Sequence, residues 1–151
     1  MSPPLRARLI LLELNVLQLS LEQMASRIKT EAGFALWFAE QFMPVHLAEF
    51  HAAFPQEKRL AAAVRARRTA LHFGFSDPPS QAHFAILMWR VAANFFLFPG
   101  FREIVAQSGT DGPSRIDRLY NQVTPEQAAD AILHGDDALL FCGPFDDEDA
   151  Q

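Results

Sequence analysis

The side chains of this 151-residue chain whose types suit chemistry are five histidines, one cysteine and several neighbouring carboxylates. His46 and Glu49 are three residues apart, so on a helix they share one face, as two metal ligands do. His51 points away from that pair, and the sequence contains no HExxH motif. A protein zinc site needs at least a third ligand, so the spacing favours ordinary histidines over a metal centre. A small helical enzyme or metal protein built on His46 and Glu49 stays as the alternative.

The other candidates for catalysis have unfavourable surroundings. Cys142 lies in the apolar stretch LLFCGPF without a nearby base, and apolar surroundings keep a thiol protonated and unreactive. The paired carboxylates, Asp136-Asp137 and Asp146-Asp147, fall in predicted loops and the tail, where solvated side chains do not keep the fixed separation of acid–base catalysis. The nucleotide-binding patterns GxGxxG and GxxxxGK[ST] are absent. We therefore predict no catalytic residue, no bound metal and no cofactor.

The composition predicts a packed, cytoplasmic protein. Half of the residues are apolar and 14 are phenylalanine, which indicates a core rather than disorder. A single cysteine excludes an internal disulfide or a thiolate zinc cluster and fits a reducing compartment. The N-terminal segment RARLILLELNVLQLSLEQM is apolar, but Glu13, Asn15 and Gln18 interrupt it. It therefore resembles neither a secretory signal nor a membrane span.

Apolar residues recur at three- and four-residue steps along the first half of the chain, which predicts helices. The first helix follows Pro3-Pro4 and runs to about Ile28. The second begins near Phe34, and Pro44 should kink it or restart it because proline lacks an amide donor. The third, from about Gln56 to Phe73, ends at Gly74. It is predicted to turn Leu60, Val64 and Leu71 inward and the following cations outward: Lys58, Arg59, Arg65, Arg67 and Arg68.

The second half continues the helical pattern. Ser76 or Asp77 is a predicted cap of a fourth helix that runs to Pro99, and its apolar residues surround it on most sides, as in a central helix. A short helix over Phe101–Gln107, a helix capped by Ser114 and a last helix from Thr124 to about His134 follow. The segment ALLFCGPF is predicted to dock in an extended form. We predict one all-α domain of about six or seven helices, 1–143, and an acidic tail, 144–151.

Charge is unevenly distributed along the chain. The first 105 residues contain 11 Lys and Arg against eight Asp and Glu, whereas the remaining residues contain two against ten. The helix after Gly74 carries one charge, Arg90, so it lacks the polar face with which a recognition helix reads DNA. The isoelectric point of about 5.5 also shows that the chain lacks the excess of positive charge typical of nucleic-acid-binding proteins. We predict no nucleic-acid partner and assign the arginines of the third helix to a solvated face, or to a contact with the acidic tail.

Several short patterns between about residues 38 and 121 resemble a group of small all-helical bacterial proteins encoded beside type VI secretion and toxin-effector genes. The patterns are FAEQFMPVHLAEFHAAFP, ALHFGF, FAILM and RIDRLY, and they consist of packing and capping residues. The resemblance implies a helical fold and an accessory role in toxin handling, such as immunity or effector loading. The chain differs from the group at AANFFLFPGF and in its acidic extension from about Val123.

The aromatic and acidic segments lead to a functional prediction. Protein interfaces favour buried aromatic anchors with a charged rim, so we predict a non-catalytic immunity protein that binds a cognate toxin. The alternative is an adaptor or chaperone that loads an effector onto the secretion machine, and a homodimer that covers its own aromatic surface is a further alternative. The predicted partner-binding residues are four aromatic anchors and four steering carboxylates: Phe95, Phe96, Phe98, Phe101, Asp146, Asp147, Glu148 and Asp149.

Overall fold

The computed structural model describes residues 28–107 and 109–141, and all regular structure within these ranges is helical. This confirms the predicted all-α fold class. The predicted first helix, up to about Ile28, and the predicted acidic tail, 144–151, lie outside the described residues. Within the described ranges, no helix is long and apolar enough to cross a membrane.

Pro44 lies where the first described helical run changes its hydrogen bonding. Helix α1 spans Glu31–Trp37, a π-helical turn spans Phe38–Phe42, and two short helices follow, α2 at Met43–His46 and α3 at Ala48–Ala53. The Met43 amide donates to the Phe38 carbonyl, five residues back. Proline has no amide with which to continue the regular pattern, and a π turn accommodates such an interruption. Of the two outcomes predicted at Pro44, a kink or a restart, the structure contains the restart, since α2 begins at Met43 with Pro44 in its first turn.

The next two helices form the corner that the sequence predicts. Helix α4 spans Gln56–His72, and Gly74 follows it with φ of +89°, a left-handed conformation that glycine adopts without steric cost. Helix α5 spans Pro78–Arg90, and the Asp77 side chain accepts a hydrogen bond from the Ser80 amide at 3.0 Å. Of the two predicted caps, Asp77 is the one used.

The inward face of α4 differs from the prediction. Leu71 is 40% exposed, whereas Arg65 is only 4% exposed. Leu60 and Val64 are half-buried. The buried residues of α4 include four alanines, whose small side chains allow neighbouring helix backbones to approach closely: Ala62, Ala63, Ala66 and Ala70. Leu60 and Val64 pack against the core, so the prediction holds in part for these two and is wrong for Leu71. The alanines were missed because short side chains carry little of the apolar signal.

The remaining elements surround α5. A 3₁₀ turn at Phe95–Leu97 precedes α6 at Phe101–Val105, α7 at Gly112–Gln122, α8 at Pro125–His134 and a 3₁₀ turn at Asp137–Leu140. Three predictions are corrected: α5 ends at Arg90 rather than near Pro99, Asp111 rather than Ser114 caps α7, and the described start of the apolar segment after α8 lies in a 3₁₀ turn, Asp137–Leu140, rather than in an extended piece. Thr124 caps α8 as predicted.

Helix α5 is the centre of the core. Ten consecutive residues, Ser80–Trp89, are buried, which confirms that this apolar helix is central. Arg115 on α7 fastens the α4–α5 corner, because its Nη1 donates to the carbonyls of Phe73 and Val105, each at 2.7 Å. Its guanidinium carbon lies 3.9 Å from the centre of the Phe75 ring. The corner is thus packed between α5 and α7 and has a structural role.

Candidate functional site

The aromatic segment after α5 is folded back onto the core. Phe95 and Phe101 are 0% and 2% exposed, and the Phe95 ring centre lies 4.8 Å from that of Phe84 and 5.4 Å from that of Phe101. The helix ends at Arg90 and the chain turns through Val91–Asn94, so Phe95 points inward instead of continuing outward along α5. The expectation that Phe95 and Phe101 are surface anchors is therefore corrected.

The other two predicted anchors retain part of their surface. Phe96 and Phe98 are half-buried and pack against the core. Between them, Leu97 is 56% exposed. The turn is closed by hydrogen bonds from the Leu97 amide to the Asn94 carbonyl and from the Phe98 amide to the Phe95 carbonyl. Buried phenylalanines on either side thus hold one exposed leucine in a fixed position, and we call residues 94–98 the Leu97 turn.

A pocket of about 180 Å³ opens beside the Leu97 turn. Its polar lining residues are Arg65, Thr69 and Asn94, and its remaining walls are apolar. The Asn94 side chain accepts a hydrogen bond from the Asp136 amide at 2.9 Å, and Arg65 Nε donates to the Leu139 carbonyl. These bonds connect the turn, α4 and the last 3₁₀ turn around the pocket. The apolar walls are formed by Phe73, Met88, Ala93, Phe96, Leu97 and Leu139.

The size and lining of this pocket fit a single apolar side chain. A dry protein cavity of about 150 Å³ accommodates a benzene ring, so the pocket accommodates one aliphatic or aromatic side chain. Leu97 lines this pocket and is also exposed to solvent, so an exposed apolar side chain and an apolar pocket lie next to each other on one surface. Neither was predicted from the sequence, because the four phenylalanines around Leu97 obscured the residue that stays outside and the pocket requires three separate segments to meet.

The arginines of α4 are engaged with neighbouring helices. Arg59 Nη2 lies 3.0 Å from Glu40 Oε1, and Arg68 Nε lies 2.7 Å from Glu31 Oε1. The hydrogen bond from Arg68 holds the pKa of the Glu31 carboxyl below its usual value. The predicted fully solvated basic face is therefore partly a structural face that attaches α4 to α1 and to the π turn.

The predicted metal pair does not gather further ligands. The His46 ring stacks on Phe42 with 4.4 Å between ring centres, and the Glu49 carboxylate lies 3.6 Å from Arg90 Nη1. Burial, followed by the nearby Arg90 charge, lowers the pKa of His46. Within residues 28–107 and 109–141, no group of three or more His, Cys, Asp or Glu residues is arranged to hold a metal ion.

The remaining predicted partner-binding residues lie outside the described part of the chain: Asp146, Asp147, Glu148 and Asp149. Cys142, which the sequence disfavours as a nucleophile, lies outside it as well. The last residue described is Phe141, whose ring centre lies 5.2 Å from that of Phe54 and 4.8 Å from the Lys58 ammonium. The acidic segment therefore continues from a point on the surface of α4.

The described surface thus combines an exposed leucine, an adjacent apolar pocket and a chain end that leads into an acidic segment. This arrangement is able to hold an apolar side chain of another molecule, and it presents no nucleophile–base pair at the pocket. Comparisons with models of protein families, with curated proteins and with solved structures found no match to this chain.

Proposed function

We propose that the protein is a non-catalytic binding protein, and specifically an immunity protein that neutralises a cognate secreted toxin in the cytoplasm by covering its active site. The observation that carries the proposal is the pair formed by Leu97 and the adjacent pocket. Binding energy at protein interfaces is concentrated in a few apolar anchors that insert into pockets. Leu97 supplies an anchor, and the pocket receives one from the partner.

The rigidity of the Leu97 turn supports this role. Ordering a loop on binding costs free energy, and a surface that is already fixed avoids much of that cost. Phe95, within the turn, and Phe101, three residues beyond it, are buried against each other and attach the turn to the core before any partner binds. Two of the aromatic residues predicted as anchors therefore act by positioning Leu97, Phe96 and Phe98 rather than by contacting the partner.

The acidic end of the sequence supports a partner with a basic surface. Asp146, Asp147, Glu148 and Asp149 are consecutive, and the chain carries a net charge of −5. Complementary charge accelerates association more than it strengthens the final complex. In this proposal the four carboxylates attract the toxin, and the Leu97 turn and its pocket form the central contact. The resemblance to proteins encoded beside toxin-effector genes supports the choice of a toxin.

Co-expression with the product of the adjacent gene tests the proposal. The immunity function predicts that the chain is co-purified with that product and rescues cells from its toxicity. The variant Leu97→Asp is expected to lose both, because a carboxylate would be desolvated at the centre of the contact. Leu36→Asp is the matched control, since Leu36 on α1 is 53% exposed and does not line the pocket. No binding to the product, or equal rescue by Leu97→Asp, would contradict the proposal.

An adaptor or chaperone and a homodimer, the two alternatives, would use the same surface. Different experimental outcomes distinguish them from an immunity protein. An adaptor or chaperone for a type VI secretion effector would bind the same product without preventing toxicity, and its deletion would abolish secretion. A homodimer would instead use Leu97 of one copy in the pocket of the other. Light scattering over a concentration series distinguishes it, because the mass would double and Leu97→Asp would restore the monomer.

A further inference from the structure

Asn94 joins the Leu97 turn to the pocket beside it. It is half-buried and lines the pocket. Its main-chain carbonyl accepts the hydrogen bond from the Leu97 amide at 3.0 Å, which closes the turn. The Asn94 side chain therefore lies where the exposed leucine and the pocket meet.

The orientation of the Asn94 side-chain amide is fixed by the chain that follows α8. The Asp136 main-chain amide lies 2.9 Å from Asn94 Oδ1, and since a main-chain amide only donates, the oxygen must face it. Gly135 allows this approach, because a Cβ atom there would overlap the Cβ atom of Ala92. The Nδ2 group is thus turned away from Asp136. Within the described part of the chain, no acceptor lies within hydrogen-bonding distance of it.

The Leu97 turn therefore offers both a donor and an acceptor beside an apolar pocket. The donor is Asn94 Nδ2. The acceptor is the Leu97 main-chain carbonyl, which receives no hydrogen bond from any described residue. A peptide main chain carries the complementary pair, since each residue has one carbonyl acceptor and, proline excepted, one amide donor. This pairing is typical of a surface that binds the main chain of another segment together with its side chain.

We propose that the pocket receives an apolar residue from an extended segment of the toxin, and that the main-chain carbonyl of this residue accepts a hydrogen bond from Asn94 Nδ2. A side chain that fills about 180 Å³ brings its own main chain to the rim of the pocket, where Asn94 lies. Carbonyls inside a helix are already bonded to amides of the next turn, whereas a loop or an edge strand has free carbonyls. The inference rests on the proposed function, because it specifies what the same pocket binds.

Asn94→Asp tests the hydrogen bond with almost no change in shape. The carboxylate keeps an acceptor for the Asp136 amide but replaces the donor by an oxygen, which would repel the carbonyl of the toxin. The Kd for the product of the adjacent gene, measured by titration calorimetry, is expected to rise at least about tenfold. The added negative charge would by itself favour a basic partner, so weaker binding reports the lost donor. Gln122→Glu is the control, because it adds the same charge at an exposed residue that does not line the pocket.

NMR of the unaltered chain provides a second measurement that does not depend on the folding of a variant. One side-chain amide proton of Asn94 is expected to move downfield when the unlabelled gene product binds, because it enters a hydrogen bond. An Asn94 amide resonance that does not move would overturn the inference. So would an Asn94→Asp variant that is folded and binds with the affinity of the wild type.

Double-mutant cycles identify the acceptor on the toxin. Polar side chains of the toxin are replaced by alanine one at a time, and each variant is measured against the wild type and Asn94→Asp. A main-chain acceptor predicts that the loss caused by Asn94→Asp persists in every toxin variant. One toxin variant that abolishes this loss would show a side-chain acceptor and overturn the assignment to the main chain.

The failure of this inference differs from the failure of the proposed function. If Leu97→Asp loses binding while Asn94→Asp retains it, the immunity proposal stands and the hydrogen bond from Asn94 is wrong. If the gene product does not bind the wild-type chain, or binds Leu97→Asp equally well, both proposals are wrong together.

Discussion

His83 is a titratable residue buried in the centre of the fold. It is 7% exposed, its Nδ1 atom has no hydrogen-bond partner, and its ring lies edge-on to Tyr120 with 6.1 Å between centres. Burial disfavours the imidazolium and lowers the pKa of His83 to about 4. The sequence favoured ordinary histidines throughout, and the burial of His83 and the lack of a partner for its Nδ1 depend on the surrounding packing and were not predicted.

This burial makes stability depend on pH. The pKa of His83 in the folded state lies below the unfolded value of about 6.5, so the unfolded state binds more protons between pH 6.5 and 4 and stability falls as the pH is lowered. From pH 6.5 to pH 5 the loss from His83 should be about 2 kcal/mol. We expect His83→Gln to reduce this slope in urea unfolding experiments, although the lowered pKa of His46 leaves a residual slope of the same sign.

The same unfolding experiments can also contradict the assignment of the pH dependence to His83. The carboxyls with lowered pKa, those of Glu31, Glu103 and Asp111, act in the same direction but only below about pH 4.5. The window from pH 6.5 to 5 therefore isolates the histidines. If His83→Gln shows the wild-type slope in this window, the proton that causes the loss of stability binds elsewhere.

At the scale of elements, the sequence predicted the helix ends and interruptions that depend on the chemistry of a few neighbouring residues. The cap at Asp77, the stop at Gly74, the restart at Pro44 and the cap at Thr124 each follow from the backbone preferences of one or two residues, and the structure contains all four. The end of α5 at Arg90 was not predicted. Between Arg90 and Pro99 there is no glycine or proline, and beyond Arg90 the chain turns back so that Phe95 packs on Phe84.

The candidate site depended even more on tertiary packing. Phe96 and Phe98 were found by their aromatic character and remain partly exposed, but Phe95 and Phe101 are core residues. The four phenylalanines are equivalent by composition, and only the turn that reverses the chain decides which of them face inward. Leu97 and the pocket beside it involve α4, α5 and the last 3₁₀ turn, and no local pattern in the sequence relates those three segments.

The N-termini of α5 and α7 meet at Gly112. A Cβ atom added there would lie 2.6 Å from Asp77 Oδ1 and 2.8 Å from Ser80 Oγ, which is closer than packed atoms approach. Both neighbours belong to the cap of α5, since Ser80 donates its amide and its hydroxyl to Asp77. A larger residue at Gly112 would therefore separate the two helices or disrupt the cap.

We expect Gly112→Ala to destabilise the protein by about 1–3 kcal/mol through this overlap, despite the higher helix propensity of alanine. Chemical denaturation measures the change. Gln122→Ala is the control at the other end of α7, because Gln122 is exposed and alanine there should change stability by less than about 0.5 kcal/mol. A neutral or stabilising Gly112→Ala would mean that α7 shifts away from α5 without loss of packing.

Across the whole molecule, charge and apolar contact are separated along the chain. The Leu97 turn and its pocket belong to the packed body, whereas the four consecutive carboxylates follow its described end at Phe141. In the proposed complex, the Leu97 turn and its pocket determine the dissociation rate. The four carboxylates determine the association rate, because exposed charges act over about 10 Å in ordinary salt. The two contributions can therefore be separated by kinetics.

Deleting residues 144–151 is expected to slow association with the toxin by about tenfold at low salt and to flatten its salt dependence, with little change in dissociation. Stopped-flow mixing measures both rates, and an unchanged association rate with an unchanged salt dependence would eliminate the steering role.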